Sequence, residues 1–190
     1  MVSVFINFLQ LFGDIPEADR QLIEAAMHSR ALKEGDVLLE EGRVCKELFF
    51  ICRGILRIVK LNDKGNQVTY FFLKENQFCC ILDSFNNKVP AEEGIQAACD
   101  SEVLTISRAA LDGLYEKLPY LKKLITGIIT QGLLDKIALR NSYLGEDSTS
   151  RYLKFMTRQP EVALRVSLTD VASYLGITPQ SLSRIRKSIR

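Results

Sequence analysis

The chain reads as an α+β protein: an antiparallel β-roll or jelly roll, then one long helix, then a small helical domain ending in a helix-turn-helix. Three observations predict this. Between Ala31 and Phe78, short runs of β-branched and aromatic residues are cut by Gly35, Gly42, Gly54 and Gly65, the rhythm of short antiparallel strands joined by tight turns. From Ser107 the apolar period turns helical and holds to roughly Tyr143. The last two dozen residues carry two short helical patterns, each with its own cap, on either side of Gly176.

Taken in order, Met1 to Phe12 is apolar but has no basic leader region or small-residue cleavage site, and it is too short to span a bilayer. A cytoplasmic protein is expected, and 47% hydrophobic with 25% charged content is that of an ordinary globular chain. Pro16 opens an amphipathic helix through Leu22, Ile23, Ala26 and Met27, with His28 on it. Strands follow at Val37–Leu39, Leu48–Cys52, Ile55–Val59 and Val68–Leu73, with Asn62 to Gly65 as a hairpin turn. After a less regular segment, Ile95–Cys99 and Glu102–Ser107 close the roll. A short helix spans Arg108 to Lys117, and a long one starts after Pro119.

Leu121, Leu124, Ile125, Ile128 and Ile129 of the long helix continue through Leu133, Leu134, Ile137 and Ala138. That stripe is wider than one buried face needs, which predicts contact with its own roll and with a second copy of the chain. Gly132 is placed to allow close helix approach or a bend. Leu144 to Ser150 is a polar hinge. A helix from Ser150 to Gln159, stopped by Pro160, carries Tyr152, Leu153, Phe155 and Met156 into a small core. Ala163 to Val166 is read as a strand, and because the sequence stops at Arg190 the domain is expected to hold at most a partial wing. The division expected is 1–117 for the roll, 118–144 for the long helix and 145–190 for the helix-turn-helix domain.

In that last domain Ser167 and Asp170 form a capping pattern, Val171, Ala172 and Leu175 an apolar stripe, and Gly176 a left-handed stop. Thr178-Pro179 caps a second helix, whose Leu182, Ile185 and Ile189 face inward. Gln180, Ser181 and Arg184 are then left to read bases: Arg suits guanine and Gln suits adenine in the major groove. Thr178, Arg186 and Lys187 are candidate phosphate contacts, joined by Ser167 and Thr169. Charge agrees. Residues 151–190 hold eight Lys/Arg against Glu161 and Asp170, a balance of +6, so the chain total of +2 leaves −4 for the first 150 residues.

The order of helix, glycine-punctuated roll, long helix, hinge and helix-turn-helix resembles the Crp/Fnr superfamily of transcription regulators, with a cyclic nucleotide-binding-like roll. The matching stretches are Glu34 to Gly42, Leu48 to Ile58, Asp63 to Gly65, Ser150 to Leu153 and, most specifically, Val171 to Ile185. The resemblance implies a winged-helix-like C-terminal domain and a homodimer joined through the long helix. It also implies double-stranded DNA with a roughly palindromic operator as one partner, RNA polymerase as another, and recognition helices about one turn of DNA apart.

The effector region departs from the family. Where cyclic-nucleotide members carry an Arg-Ser/Thr pair, this chain has Ala91 and Glu92, so a cyclic phosphate would lie unpaired near carboxylates at a cost of several kcal/mol. Phe78, Cys79, Cys80, Ala91 and Glu92 are the candidate effector residues; no cofactor is predicted, no metal is expected, and the effector is unknown. No cysteine precedes Cys45, which argues against an N-terminal iron–sulfur cluster, and His28 is a single histidine, which argues against haem ligation and against the usual catalytic ligand sets. An enzyme is not expected. The alternative is a roll that senses a small molecule or thiol redox state, through Cys79-Cys80, and acts through protein partners.

Overall fold

The computed structural model describes residues 1–189; Arg190, one of the basic residues counted above, lies outside them. Helix α1 (Val2–Gln10) buries Phe5, Ile6 and Leu9, and the Phe5 ring lies 4.8 Å from Phe50 and 6.0 Å from Phe78. The apolar N-terminus is thus a packed helix, an element the sequence reading left unassigned. Helix α2 (Glu17–Ala26) begins after Pro16 with Glu17 and Asp19 at its positive end. It stops at Met27, which is extended, so His28 opens strand β1 (His28–Leu32) rather than sitting on a helix. Pairing with the last strand decides this: His28 faces Thr105 and Leu32 faces Ser101, and tertiary pairing overrides the weak local preference.

Strands β2 (Val37–Leu39), β3 (Glu47–Arg53), β4 (Leu56–Leu61), β5 (Gln67–Leu73), β6 (Phe78–Cys79), β7 (Gly94–Ala97) and β8 (Ser101–Ser107) complete two antiparallel sheets, ordered β1-β8-β3-β6 and β2-β7-β4-β5. In β3, Leu48, Phe49, Phe50 and Ile51 are all buried, because the roll core covers one face and α1 the other. The turn into β4 uses Gly54 at φ 101°, where an added Cβ would lie 2.1 Å from Ser101 Oγ. Helix α3 (Leu82–Asn87) occupies the segment read as irregular.

Helix α4 (Arg108–Lys117) starts on Ser107, whose hydroxyl accepts from Ala110 N. Helix α5 (Pro119–Asn141) buries Leu121 and Ile125 against the roll, and its second half lies over β5, with Lys136 5.8 Å from the Phe71 ring and Arg140 5.5 Å from Tyr70. Its other side is open: Leu134 and Ile137 are 54% and 45% exposed, so the wide stripe does divide between two faces. Gly132 lines a small cavity with Gln77 and Phe78 and so faces the roll; Gly127 is exposed.

Helix α6 (Ser148–Arg158) begins two residues before the expected Ser150 because Asp147 accepts from Thr149 N and Ser150 N. Tyr152 and Phe155 enter the small core, but Leu153 is 47% exposed. Helix α7 (Pro160–Arg165) replaces the expected strand: Pro160 at the first position and Glu161 in the first turn favour helix, and Val162 is buried by it. Helices α8 (Leu168–Leu175) and α9 (Pro179–Ser188) follow. Among the described residues no strand lies after β8, so the partial wing is absent there. Ile189, expected inside, follows the end of α9 and is 43% exposed.

Candidate nucleic-acid interface and effector region

The helix-turn-helix is built as its caps require. Ser167 Oγ accepts from Asp170 N at 3.1 Å, Gly176 turns left-handed at φ 67°, and Ile177 N donates to Ala172 O at 3.0 Å, closing α8. Thr178 Oγ1 accepts from Ser181 N at 3.1 Å and donates to Ser181 Oγ at 2.9 Å, opening α9. Leu182 is buried among Phe155, Val171, Ala172 and Leu175. Helical spacing from Leu182 puts Gln180, Arg184 and Lys187 together on the opposite, exposed face. Ser181 is half-buried against Thr178, and Arg186 is half-buried on the side of Leu182 and Ile185, off that face. Thr169 is exposed, whereas the Ser167 hydroxyl is spent on its cap.

Asp170 does not reach back to its cap. It forms an ion pair with Arg57 of β4, whose guanidinium also donates to Gln96, Thr69 and Gln67. Their side chains are 12% and 14% exposed, which makes this a buried pair between the roll and α8. Thr69 N donates to Ser173 Oγ at 2.9 Å, Ser173 Oγ donates to Gln67 O at 3.3 Å, and Phe72 packs on Tyr174 with ring centroids 5.2 Å apart. Lys74 pairs with Glu161, and Arg165 meets Glu75 at 2.8 Å. Burial raises the Glu75 carboxyl, but Arg165 and the N–H of Gly54, 2.6 Å away, outweigh it and hold the group below its ordinary value. Sequence reasoning missed this docking surface, since Arg57 is an ordinary polar position on an alternating strand and Asp170 an ordinary cap partner.

In the effector region Ala91 is buried, its N–H donating to Arg43 O at 2.9 Å and its carbonyl accepting from Gly42 N at 2.8 Å, so both backbone groups are occupied. Glu92 is exposed and 2.7 Å from Lys60, which holds its carboxyl below the ordinary value. Burial pushes the neighbouring Glu93 up. A phosphate placed here meets Glu92 and Glu93 and one already paired lysine. Cys79 is fully buried and burial pushes its thiol to about 12; the half-buried Cys80 is raised too, so neither is prone to form the reactive thiolate. Phe78 packs edge-on against Phe50, 5.4 Å away, as part of the core.

Residues 29–117 match the model of the cyclic nucleotide-binding domain. The fumarate and nitrate reduction regulatory protein of Yersinia pestis is 24% identical over 177 residues, 87% of this chain and 70% of that one. The roll is thus a cyclic nucleotide-binding domain, and the chain around it resembles the Crp/Fnr regulators. Among solved structures, a transcriptional regulator of the Crp/Fnr family from Eubacterium rectale is similar with TM-score 0.73 and 18% identity, over 96% of this chain and 87% of that one. CLP, the c-di-GMP responsive global regulator of Xanthomonas campestris, is similar with TM-score 0.71 and 17% identity, over 92% and 91%. FixK2 from Bradyrhizobium japonicum gives 0.70 and 18%, over 86% and 84%. These Crp/Fnr likenesses carry the fold: a roll of two antiparallel sheets followed by helices. Among the described residues, no helix is long and apolar enough to cross a membrane.

Proposed function

We propose that the chain is a sequence-specific, DNA-binding transcription regulator of the Crp/Fnr type, acting in the cytoplasm as a homodimer and without response to cyclic AMP. The observation that carries this is the exposed face of α9, where Gln180, Arg184 and Lys187 stand together at the tip of a basic domain. Gln180, Ser181 and Arg184 read bases; Thr178, Lys187 and Thr169 contact phosphates, with Arg186 and Ser167 as flanking contributors. Residues 1–117 form the sensing roll, 118–144 the dimer helix and 145–190 the DNA-binding domain. The paired Glu92 and the occupied Ala91 amide support the independence from cyclic AMP. Any contact with RNA polymerase belongs to the same reading.

Selection from a random DNA pool, run with and without cyclic AMP, tests it. One palindrome is expected in both pools; enrichment only with the nucleotide contradicts the independence, and no enrichment contradicts the regulator. On the selected site Arg184→Ala should cost about 1–3 kcal/mol and relax one position per half-site, while Lys187→Ala weakens all sequences alike. Equal losses on specific and random DNA from Arg184→Ala would remove that residue from base reading.

A further inference from the structure

A cleft of about 270 Å³ lies where four parts meet: β5, the end of α5 with its hinge, α6, and the C-terminus of α8. Tyr70, Tyr143 and Tyr174 form its aromatic walls, and Arg140 and Arg151 line it, with no Asp or Glu among its lining residues. Two cations therefore share a concave, aromatic surface. Among the described residues neither guanidinium has a carboxylate within 4.0 Å. The acids nearest in the chain are engaged elsewhere: Asp135 accepts from Gln131 Nε2 at 2.9 Å, Glu146 is 2.5 Å from Lys154, and Asp147 caps α6.

The donors are also under-used. Arg151 donates to Leu175 O at 2.7 Å and reaches Ser148 Oγ at 3.4 Å, but its Nε is buried with no acceptor. The Arg140 guanidinium carbon lies over the Tyr70 ring, 5.5 Å from its centre, a contact that holds a guanidinium without neutralising it. Gln159 Nε2 donates to the hydroxyls of Tyr143 and Tyr174 at 3.3 and 3.1 Å. Burial raises both phenols, so they stay neutral and can donate.

We infer that this cleft binds a small organic oxyanion carried on a flat unsaturated ring, with Arg140 and Arg151 as counter-charges and the tyrosines as stacking walls and donors. Guanidinium forks match carboxylate and phosphate alike, and the volume is near the lower end of ligand pockets, about 300 Å³. It is separate from the Ala91–Glu92 region, which contributes no residue to it. A bound ligand would touch the roll, the long helix and the helix-turn-helix at once, and so would fix their relative placement.

Calorimetric titration of the full chain, without DNA, tests the site with two probes: 4-hydroxybenzoate for the carboxylate and guanosine 5′-monophosphate for the phosphate. At least one should bind with Kd below about 1 mM. Arg140→Gln and Tyr143→Ala should each weaken it at least about tenfold, while Arg140→Lys loses less. Arg140 is exposed, so its variants should keep the thermal midpoint, and circular dichroism checks each variant. Heat with one probe alone identifies the anion. No heat with either, or unchanged affinity in Arg140→Gln, overturns the site. A separate titration with DNA and no probe closes the remaining route: a matching loss of DNA affinity in Arg140→Gln would mean that the cleft serves the DNA backbone, which also overturns it.

Discussion

Two residues fix local chemistry that composition cannot. Gly54 adopts φ 101°, a region L side chains rarely enter, and its Cβ position is already filled by Ser101. The Ser101 hydroxyl there accepts from Ile55 N at 3.1 Å, so it cannot move aside without orphaning a buried amide. Gly54→Ala should cost about 3 kcal/mol in urea unfolding, and a loss below about 1 kcal/mol would show that the turn relaxes. Cys79 sets a pH limit. Burial raises its thiol from 9.0 to about 12, so the folded state prefers the neutral form more strongly than the unfolded state does. Its contribution is complete below the unfolded value and is lost as pH rises from about 9 through 12. The thermal midpoint should fall across that range, and Cys79→Ala should make the fall shallower even though its cavity lowers the whole curve. An identical slope in the variant would remove Cys79 as a cause.

At the scale of elements, α8 serves two masters: it is the first helix of the helix-turn-helix and it is bolted to β4 and β5. Taking one partner from the buried Arg57–Asp170 pair leaves an uncompensated charge, so Asp170→Ala should cost about 3 kcal/mol. The double variant Arg57→Met with Asp170→Leu should recover much of it, and a double variant as unstable as the sum of the singles would show that the two residues are not coupled. This contact also marks where the sequence stops being legible. The strands from Val37 onward other than β6, together with α4, the start of α5 and the N-caps of α8 and α9, were readable because glycine spacing, proline and capping residues act within a few positions of themselves. The strand β1 and the helix α7 were not, since His28–Leu32 is extended only by pairing with β8 and the Ala163–Val166 run looks like strand until Pro160 starts a helix across it. Of the candidate site, Gln180, Arg184 and Lys187 follow from helical spacing alone. The half-burial of Arg186, the Asp170 latch and the Arg140–Arg151 cleft depend on side chains brought together across more than one element, for which no short-range signal exists.

For the whole molecule, the proposed homodimer turns on the open side of α5. Leu134 and Ile137 stand on the face away from Leu121 and Ile125, with exposed Gly127 about two turns before Leu134 on the same face, so a second helix could approach closely there. Lys136 and Arg140 keep the opposite side occupied by lying over Phe71 and Tyr70, which leaves the exposed Leu134 and Ile137 without a covering partner among the described residues. Such an apolar face is costly to leave in water and is the natural seam for a two-fold contact between identical helices. Leu134→Glu places like charges against each other across that seam and should shift the protein to monomer in sedimentation velocity. Because Leu134 is 54% exposed in the single chain, the monomer's own thermal stability should change by less than about 0.5 kcal/mol. Affinity for a palindrome should then collapse toward that of a half-site, while α9 itself remains intact. A Leu134→Glu protein that stays dimeric and binds the full operator unchanged would place the dimer contact elsewhere on the molecule.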